Sequence, residues 1–292
     1  MHFLDDFAEI TKLQEPLAPY TSFKLGGPAQ FLVQPRSPDE LARLIARCRQ
    51  EQVPYRILGG GCNVLVRDEG VRGVVIRLST PGFASITVQG TRVRAAAGAP
   101  LSGLISESAR HALAGLESLI GIPGTVGGAL RANAGSRSGY MQQFVRRVEV
   151  LEPTGQIEVQ ERDRLDLDPP SSAPDDAVIL AAEFELESDD PDSILKRLRR
   201  FWIHKKAQQP LSFQAAGRIF ADPRGLAADQ LIEQAGLKGT RVGGAEVSER
   251  HANFIIAHPG ATARDVLRLI DLVRSRVEEQ FGQTLPLAIV VW

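Results

Sequence analysis

Apolar positions recur at helical spacing in several well-bounded stretches of the chain. In residues 37–48, Ser37 can cap, Pro38 suits the first turn and Glu40 completes a capping box. Leu41, Leu44, Ile45 and Cys48 then fall on one face, which makes Cys48 a core residue. Leu101, Leu104, Ile105, Ser108 and Ala112 form a second stripe within 101–112. A long helix opens at Thr262 as its cap, carries Val266, Leu269, Ile270, Val273, Val277 and Phe281 on one side, and stops at Gly282. A shorter helix, 226–235, is stopped by Gly236. Residues 192–206 place Ile194, Leu198 and Phe201 on an apolar side beside six cations. With no aromatic stacking platform among them, those cations read as the solvated face of a connecting helix.

Strand patterns fill the spaces between. Residues 53–58, 71–78, 178–186, 251–257 and 285–292 read as strands, and another is expected soon after residue 207. Alternating segments predict hairpins at 86–95, about Gly90, and at 148–160, turning at Pro153–Gly155. Residues 163–177 form a polar, proline-rich loop. No repeat or low-complexity tract is present. The composition shifts after the 178–186 strand, and residues 207–292 read as a separate α+β unit.

Charge and cysteine content narrow the class. The 292 residues hold 34 Lys and Arg against 35 Asp and Glu, so no global field draws the chain to nucleic acid or to a membrane. Two cysteines, Cys48 and Cys62, are too few for a disulfide framework or a zinc site and point to a reducing compartment. The opening MHFLDDFAEI lacks a signal pattern, and no apolar run approaches membrane-spanning length. The expectation is a soluble, cytoplasmic, metal-free monomer.

Two glycine loops carry the candidate chemistry. ILGGGCNVLV (57–66) sets three glycines directly after a strand, and GIPGTVGGALRANAG (121–135) is the second loop. Consecutive glycines let backbone N–H groups turn toward one point, a nest that suits phosphate. Neither loop has the Lys-Ser/Thr of a P-loop, and neither is a GxGxxG opening a helix after a strand. Each alone reads equally well as a tight turn. Together they favour a diphosphate gripped from two sides, with Thr125 and Asn63 adding side-chain hydrogen bonds. A third stretch, AAGRIFADP (215–223), sets the long cation Arg218 after three small residues, as a docking place would.

The order YTSFKLGGPAQF (20–31), ILGGGCNVLV, GLESLIGIPGTVGGALRANAG, then AAGRIFADP and LIEQAGLKGTRVGGAEVSERHANFII resembles the UDP-N-acetylenolpyruvoylglucosamine reductase family over roughly residues 15 to 290. The resemblance implies an α+β fold: an FAD-binding domain of the vanillyl-alcohol-oxidase (PCMH) type over 1–206, in two subdomains of about 1–78 and 79–206. It also implies a small α+β domain over 207–285 that closes on a UDP-sugar, with 286–292 as a C-terminal strand. The shorter of the family's two forms is the better match. The positions it assigns to FAD are Thr21, Gly59, Gly60, Gly61, Cys62, Asn63, Gly121, Pro123, Gly124, Thr125, Gly127, Gly128, Ala129, Asn133, Ala134 and Gly135. NADPH is the implied hydride donor.

The family's chemistry delivers hydride to the β-carbon of an enolpyruvyl ether, so negative charge spreads from the α-carbon into the carboxylate. That charge needs donors or cations, and the α-carbon needs a proton. The resemblance implies a serine acid, a loop arginine and a C-terminal glutamate. Here Arg218 stands at the serine and Ala288 at the glutamate, and Ala221 and Asp222 replace Lys and Asn. No Tyr or Arg occurs between 165 and 177, and Arg131 stands where an aromatic is usual. Arginine is no acid, its pKa exceeding about 12. Either Arg218 anchors an anion or it forms a surface salt bridge, with Asp222 as one available partner. Ser212, Ser248 and Lys205 are conceivable substitute acids, while Glu117, Glu246 and His251 read as structural. Four outcomes stay open: an FAD protein whose reductase step is lost or weakened, a working reductase, a flavoenzyme redirected to another anionic substrate, and an FAD-free interaction protein that keeps only the fold.

Overall fold

The computed structural model describes residues 4–136, 138–162, 177–210 and 214–292; the expected loop at 163–177 lies outside these apart from its last residue. The chain divides into two compact units, Met1–Leu13, Phe31–Gly60 and Arg72–His204 in the first, and Gln14–Gln30, Gly61–Val71 and Lys205–Trp292 in the second. That division is discontinuous in sequence, unlike the boundary expected near residue 206.

The first unit holds a five-stranded antiparallel sheet in the order Ile157–Glu161, Val145–Leu151, Val178–Glu185, Arg92–Ala96, Ile86–Gln89. Both hairpins read from the sequence are present, turning through Gly90 and Gly155 at φ +60° and +85°. Helices α1 (Pro38–Gln50), α2 (Leu101–Arg110) and α3 (Val126–Arg131) lie in this unit. One core gathers Leu101, Leu104, Val126 and Leu130 with Val93, Val148 and Phe184 from the sheet. The other gathers Leu41, Leu44, Ile45 and Cys48 of α1 with Val74 and Ile76 from the parallel pair Tyr55–Leu58 and Val71–Arg77. Each such side chain contributes roughly 1.5–3 kcal/mol on burial.

Two local expectations are corrected. Ser37 Oγ accepts the Glu40 N–H at 3.2 Å, but the Glu40 carboxylate accepts from Arg36 N–H at 2.6 Å, one residue before the cap. The carboxylate overshoots Ser37, so the capping box is left open. Ala112 lies past the end of α2 at φ +55°, because the chain turns left-handed there to enter the next segment. Helix α4 (Pro191–Gln208) buries Ile194 and leaves Leu195, Trp202 and Ile203 exposed.

The second unit is built on the sheet Arg241–Val242, Ala245–Val247, Ile255–Ala257, with helices α5 (Ala228–Gln234) and α6 (Ala263–Phe281). Thr262 and Asp265 form a complete capping box at the start of α6, at 3.1 and 3.0 Å, and Gly282 ends the helix at φ +64°. Val266, Leu269, Ile270, Val273 and Val277 are all buried against Phe23, Leu65, Ile232 and Leu285. The strand expected over 251–257 is confined to Ile255–Ala257, since residues before it turn with Phe254 N–H on the His251 carbonyl at 3.0 Å. That expected over 285–292 shrinks to Val290–Val291, paired parallel with Val64–Leu65. In place of the strand anticipated after 207, α4 continues to Gln208, and Ala215 and Phe220 make only isolated bridges to Ile256 and Leu287. Among the described residues no helix is long and apolar enough to cross a membrane, and no cluster of His, Cys, Asp or Glu could hold a metal.

Candidate functional site

In the first unit the two glycine loops meet. Gly59 leaves the end of strand Tyr55–Leu58 so close to the second loop that a Cβ there would lie 2.8 Å from Thr125 Oγ1 and 3.6 Å from Gly128 Cα. Thr125 caps α3, its Oγ1 accepting the Gly128 N–H at 3.4 Å, which keeps the hydroxyl hydrogen available for an outside acceptor. The start of α3 is held to the sheet by Val126 N–H on the Ala99 carbonyl at 2.9 Å and Gly127 N–H on the Ala97 carbonyl at 2.8 Å. Gly127 has to be glycine for that approach, since its Cβ would sit 2.8 Å from Ala97 Cβ. Off Gly128, by contrast, a would-be Cβ meets Thr125 Oγ1 at 3.3 Å and, beyond its own helix and among the described residues, no other atom within 4 Å. The result is a close approach of two glycine loops in which the N–H groups of Val126 and Gly127 are spent on the chain itself, while the Thr125 hydroxyl at the edge keeps a hydrogen that suits a phosphate oxygen.

The remaining positions of the second loop shape the chain around it. Gly121 and Gly124 take φ of +77° and +116°. Asn133 is buried at φ +38°, and its Oδ1 accepts the Gln142 N–H at 3.2 Å. Ala134 N–H reaches the Ala129 carbonyl at 2.7 Å, and Gly135 pairs in a short hairpin where a Cβ would strike the Gly139 carbonyl oxygen at 2.4 Å. Pro123 precedes α3, and Arg131 is its last residue.

The second unit carries the rest of the first loop. Gly61, at φ +65°, would place a Cβ 2.0 Å from the Tyr20 carbonyl oxygen. Thr21 is buried, with its hydroxyl donating to the Leu25 carbonyl at 2.9 Å, its N–H to the Ala18 carbonyl at 3.3 Å and its own carbonyl accepting from Lys24 N–H at 3.2 Å, so it holds the turn beside Gly61. Asn63 commits one Nδ2 hydrogen to the Ala288 carbonyl at 2.9 Å, which leaves a single amide hydrogen for the diphosphate contact anticipated from sequence.

Around Cys62 and Asn63 two of the expected catalytic positions, 218 and 288, converge, while the loop expected to carry the third lies outside the described residues apart from its last residue. Gly217 N–H donates to the Cys62 carbonyl at 2.9 Å, Ala288 N–H to Ile219 at 2.8 Å, and Val290 N–H to Asn63 at 2.9 Å. Asn253, invisible as a functional residue in the stretch HANFII, locks this arrangement. Its Oδ1 accepts Phe220 N–H, its Nδ2 donates to the Phe220 carbonyl, both at 2.8 Å, and its own carbonyl accepts Ile219 N–H at 3.0 Å. A buried Asn surrounded by apolar residues was the available signal.

Arg218 itself is partly exposed. Its Nη1 lies 3.7 Å from Asp222 Oδ2, with 42% and 36% of the two side chains accessible. Nearby, burial holds the His251 imidazole below its usual pKa; Asp229, 3.8 Å from Nε2, opposes this and the charge of Arg218 reinforces it. The other titratable candidates have structural duties. Buried Glu117 accepts from Arg197 at 2.8 Å and from Gly115 N–H at 2.7 Å. Glu246 lies between Arg241 at 2.5 Å and His258 at 2.6 Å. Ser248 is buried, and its Oγ accepts from Arg250 and His251 N–H at 3.2 and 3.4 Å. Lys205 is buried and its pKa is pushed down to about 8 by that burial. Ser212 lies outside the described residues.

Comparison with known proteins agrees with this geometry. Residues 209–292 match the family described as UDP-N-acetylenolpyruvoylglucosamine reductase, C-terminal domain, and residues 29–160 match the FAD binding domain family. The chain is 41% identical over 271 residues to the UDP-N-acetylenolpyruvoylglucosamine reductase of Clostridium botulinum, covering 92% of this chain and 88% of that protein. Its fold superposes on the crystal structure of UDP-N-acetylenolpyruvylglucosamine reductase from Thermus caldophilus with TM-score 0.83 and 37% identity, covering 97% and 98% of the two chains. Phl p 4.0202, a glucose dehydrogenase, shares the fold over 65% of this chain and 45% of its own, at TM-score 0.53 and 14% identity. The α+β fold with an FAD-binding domain of the vanillyl-alcohol-oxidase (PCMH) type is thereby established.

Proposed function

The chain belongs to the UDP-N-acetylenolpyruvoylglucosamine reductase family, and from that premise we propose that it is an FAD- and NADPH-dependent flavoprotein of peptidoglycan-precursor synthesis that completes reduction of UDP-N-acetylglucosamine enolpyruvate only slowly. FAD, when bound, supplies the hydride-carrying chemistry. Gly59, Gly60, Gly124, Thr125 and Gly128, all in the first unit, would hold its diphosphate. The segment 207–285 would receive the UDP-sugar.

The observation that carries the slow step is the hydrogen bond from Ala288 N–H to the Ile219 carbonyl at 2.8 Å. It supports a backbone frame that is kept while its reactive side chains are exchanged. Arg218 cannot release a proton near neutral pH, and the methyl group of Ala288 has neither proton nor charge to give. Losing a positioned acid removes about 10²–10⁴-fold in rate, and losing its assisting groups removes more.

Purified protein tests this directly. It should be yellow, should bleach rapidly with NADPH under anaerobic conditions, and should recover colour slowly on adding the enolpyruvyl sugar. Rapid recovery would instead make it a fully working reductase. A colourless protein that takes up no added FAD would leave only the fold.

A further inference from the structure

We infer that Arg218 is a carboxylate anchor for the sugar ligand, and that Asp222 is the resident carboxylate which that ligand displaces. The inference rests on the UDP-sugar reading above.

The pair is looser than its sequence spacing suggests. At 3.7 Å, Arg218 Nη1 and Asp222 Oδ2 are beyond hydrogen-bonding range, and both side chains are more than a third exposed. Asp222 does not depend on the contact. Its Oδ1 accepts Ala228 N–H at 3.0 Å, which holds the carboxylate in place. Among the described residues Asp222 is the one ion-pair partner of Arg218. A guanidinium presents five N–H donors in a plane suited to two carboxylate oxygens, and a single loose contact leaves most of that capacity unused.

The backbone under Arg218 is fixed on both sides. Gly217 N–H is bonded to Cys62 and Ile219 N–H to Asn253, at 2.9 and 3.0 Å, so the side chain projects from a rigid base beside the first glycine loop. Gly217 packs at ordinary contact distance on that loop, a would-be Cβ lying 3.5 Å from Asn63 Oδ1 and 3.8 Å from the Cys62 carbonyl oxygen. His251, the nearby titratable ring, is held toward its neutral form by burial. In that form it adds no positive charge of its own beside the Arg218 guanidinium and forms no ion pair with an incoming anion. A ligand carboxylate meeting the guanidinium in bidentate geometry would therefore replace one loose contact with two short ones.

The test compares two sugars that differ in the carboxylate. Isothermal titration calorimetry is run on the full chain with added FAD and no NADPH, using UDP-N-acetylglucosamine enolpyruvate and UDP-N-acetylglucosamine as probes. Arg218→Met should weaken the enolpyruvyl sugar about ten-fold, the scale of one charge-assisted contact, and leave UDP-N-acetylglucosamine within about two-fold. Asp222→Asn, which keeps the Oδ1 acceptor for Ala228, should tighten the enolpyruvyl sugar about three-fold by removing the competitor. Equal loss of both sugars in Arg218→Met, or no change in either, would overturn the anchor. An unchanged Asp222→Asn would overturn the displacement. If neither sugar binds the unaltered chain, the underlying UDP-sugar reading fails instead, and the two failures are thus separable.

Discussion

Ala288 is tethered to Ile219 by a 2.8 Å backbone hydrogen bond, which places it beside the residue that follows Arg218. Two positions 70 residues apart in sequence therefore belong to one structural element. Replacing Arg218 by Ser alone should leave turnover of the enolpyruvyl sugar far below that of an intact reductase, because position 288 still lacks its carboxylate. The double variant Arg218→Ser, Ala288→Glu should exceed the unaltered chain by more than the product of the two single variants' gains over it. Anaerobic reoxidation of NADPH-bleached protein measures this. Full activity in Arg218→Ser alone would refute it.

Asn253 should matter to stability more than its polarity suggests. Asn253→Ala removes two buried hydrogen bonds and leaves both the N–H and C=O of Phe220 without their partner. The expected loss is about 2–4 kcal/mol, seen as a lower denaturation midpoint in urea. Asn253→Asp keeps the acceptor but loses the donor, and it should fall between the two.

The glycines where the two loops meet differ from those of the turns. At Gly127 an added methyl would meet Ala97 Cβ at 2.8 Å, so Gly127→Ala should displace α3, lower thermal stability and weaken FAD retention about ten-fold or more. Gly155→Ala, at φ +85° with nothing within 4 Å, should cost only about 1 kcal/mol of backbone strain and leave FAD binding unchanged. Flavin retained after gel filtration distinguishes the two.

Cys48 gives the fold a pH dependence at the alkaline end. Burial in the α1 core pushes its thiol up to about 11 from the ordinary 9.0. Below pH 9 both folded and unfolded chains carry the neutral thiol, so its contribution is fully present. Between pH 9 and about 11 the unfolded chain ionises while the folded one does not, and stability falls with a slope approaching about 1.4 kcal/mol per pH unit. Cys48→Val should flatten that segment of a stability–pH curve; an unchanged curve would assign the alkaline loss to other groups.

Local chemistry was legible in the sequence; long-range pairing was not. The stripe of α6, its Thr262 cap and the Gly282 stop were readable because all their partners lie within one turn of one another. The meeting of Gly59 with Thr125 and Gly128 could be expected only as a shared taste for phosphate, since nothing local records a 2.8 Å approach between distant loops. Phe23 gave no periodic signal at all, yet it is fully buried in the core of α6, which is why the second unit could not be read as discontinuous. That Arg218 and Ala288 differ from the residues the resemblance implies was visible in the sequence, whereas Asn253 has meaning only once Phe220 lies against it.

The joining of Asn63 and Val64 to residues 288–290 also constrains how the protein is made. Asn63 waits for a partner 225 positions downstream, and Val64–Leu65 for the strand beginning at Val290. On a ribosome, the early segments 14–30 and 61–71 emerge long before the surface that covers them. A nascent chain halted in the middle of α6 should remain open to protease at those two segments, with Phe23 and Leu65 accessible to chaperones until synthesis is nearly finished.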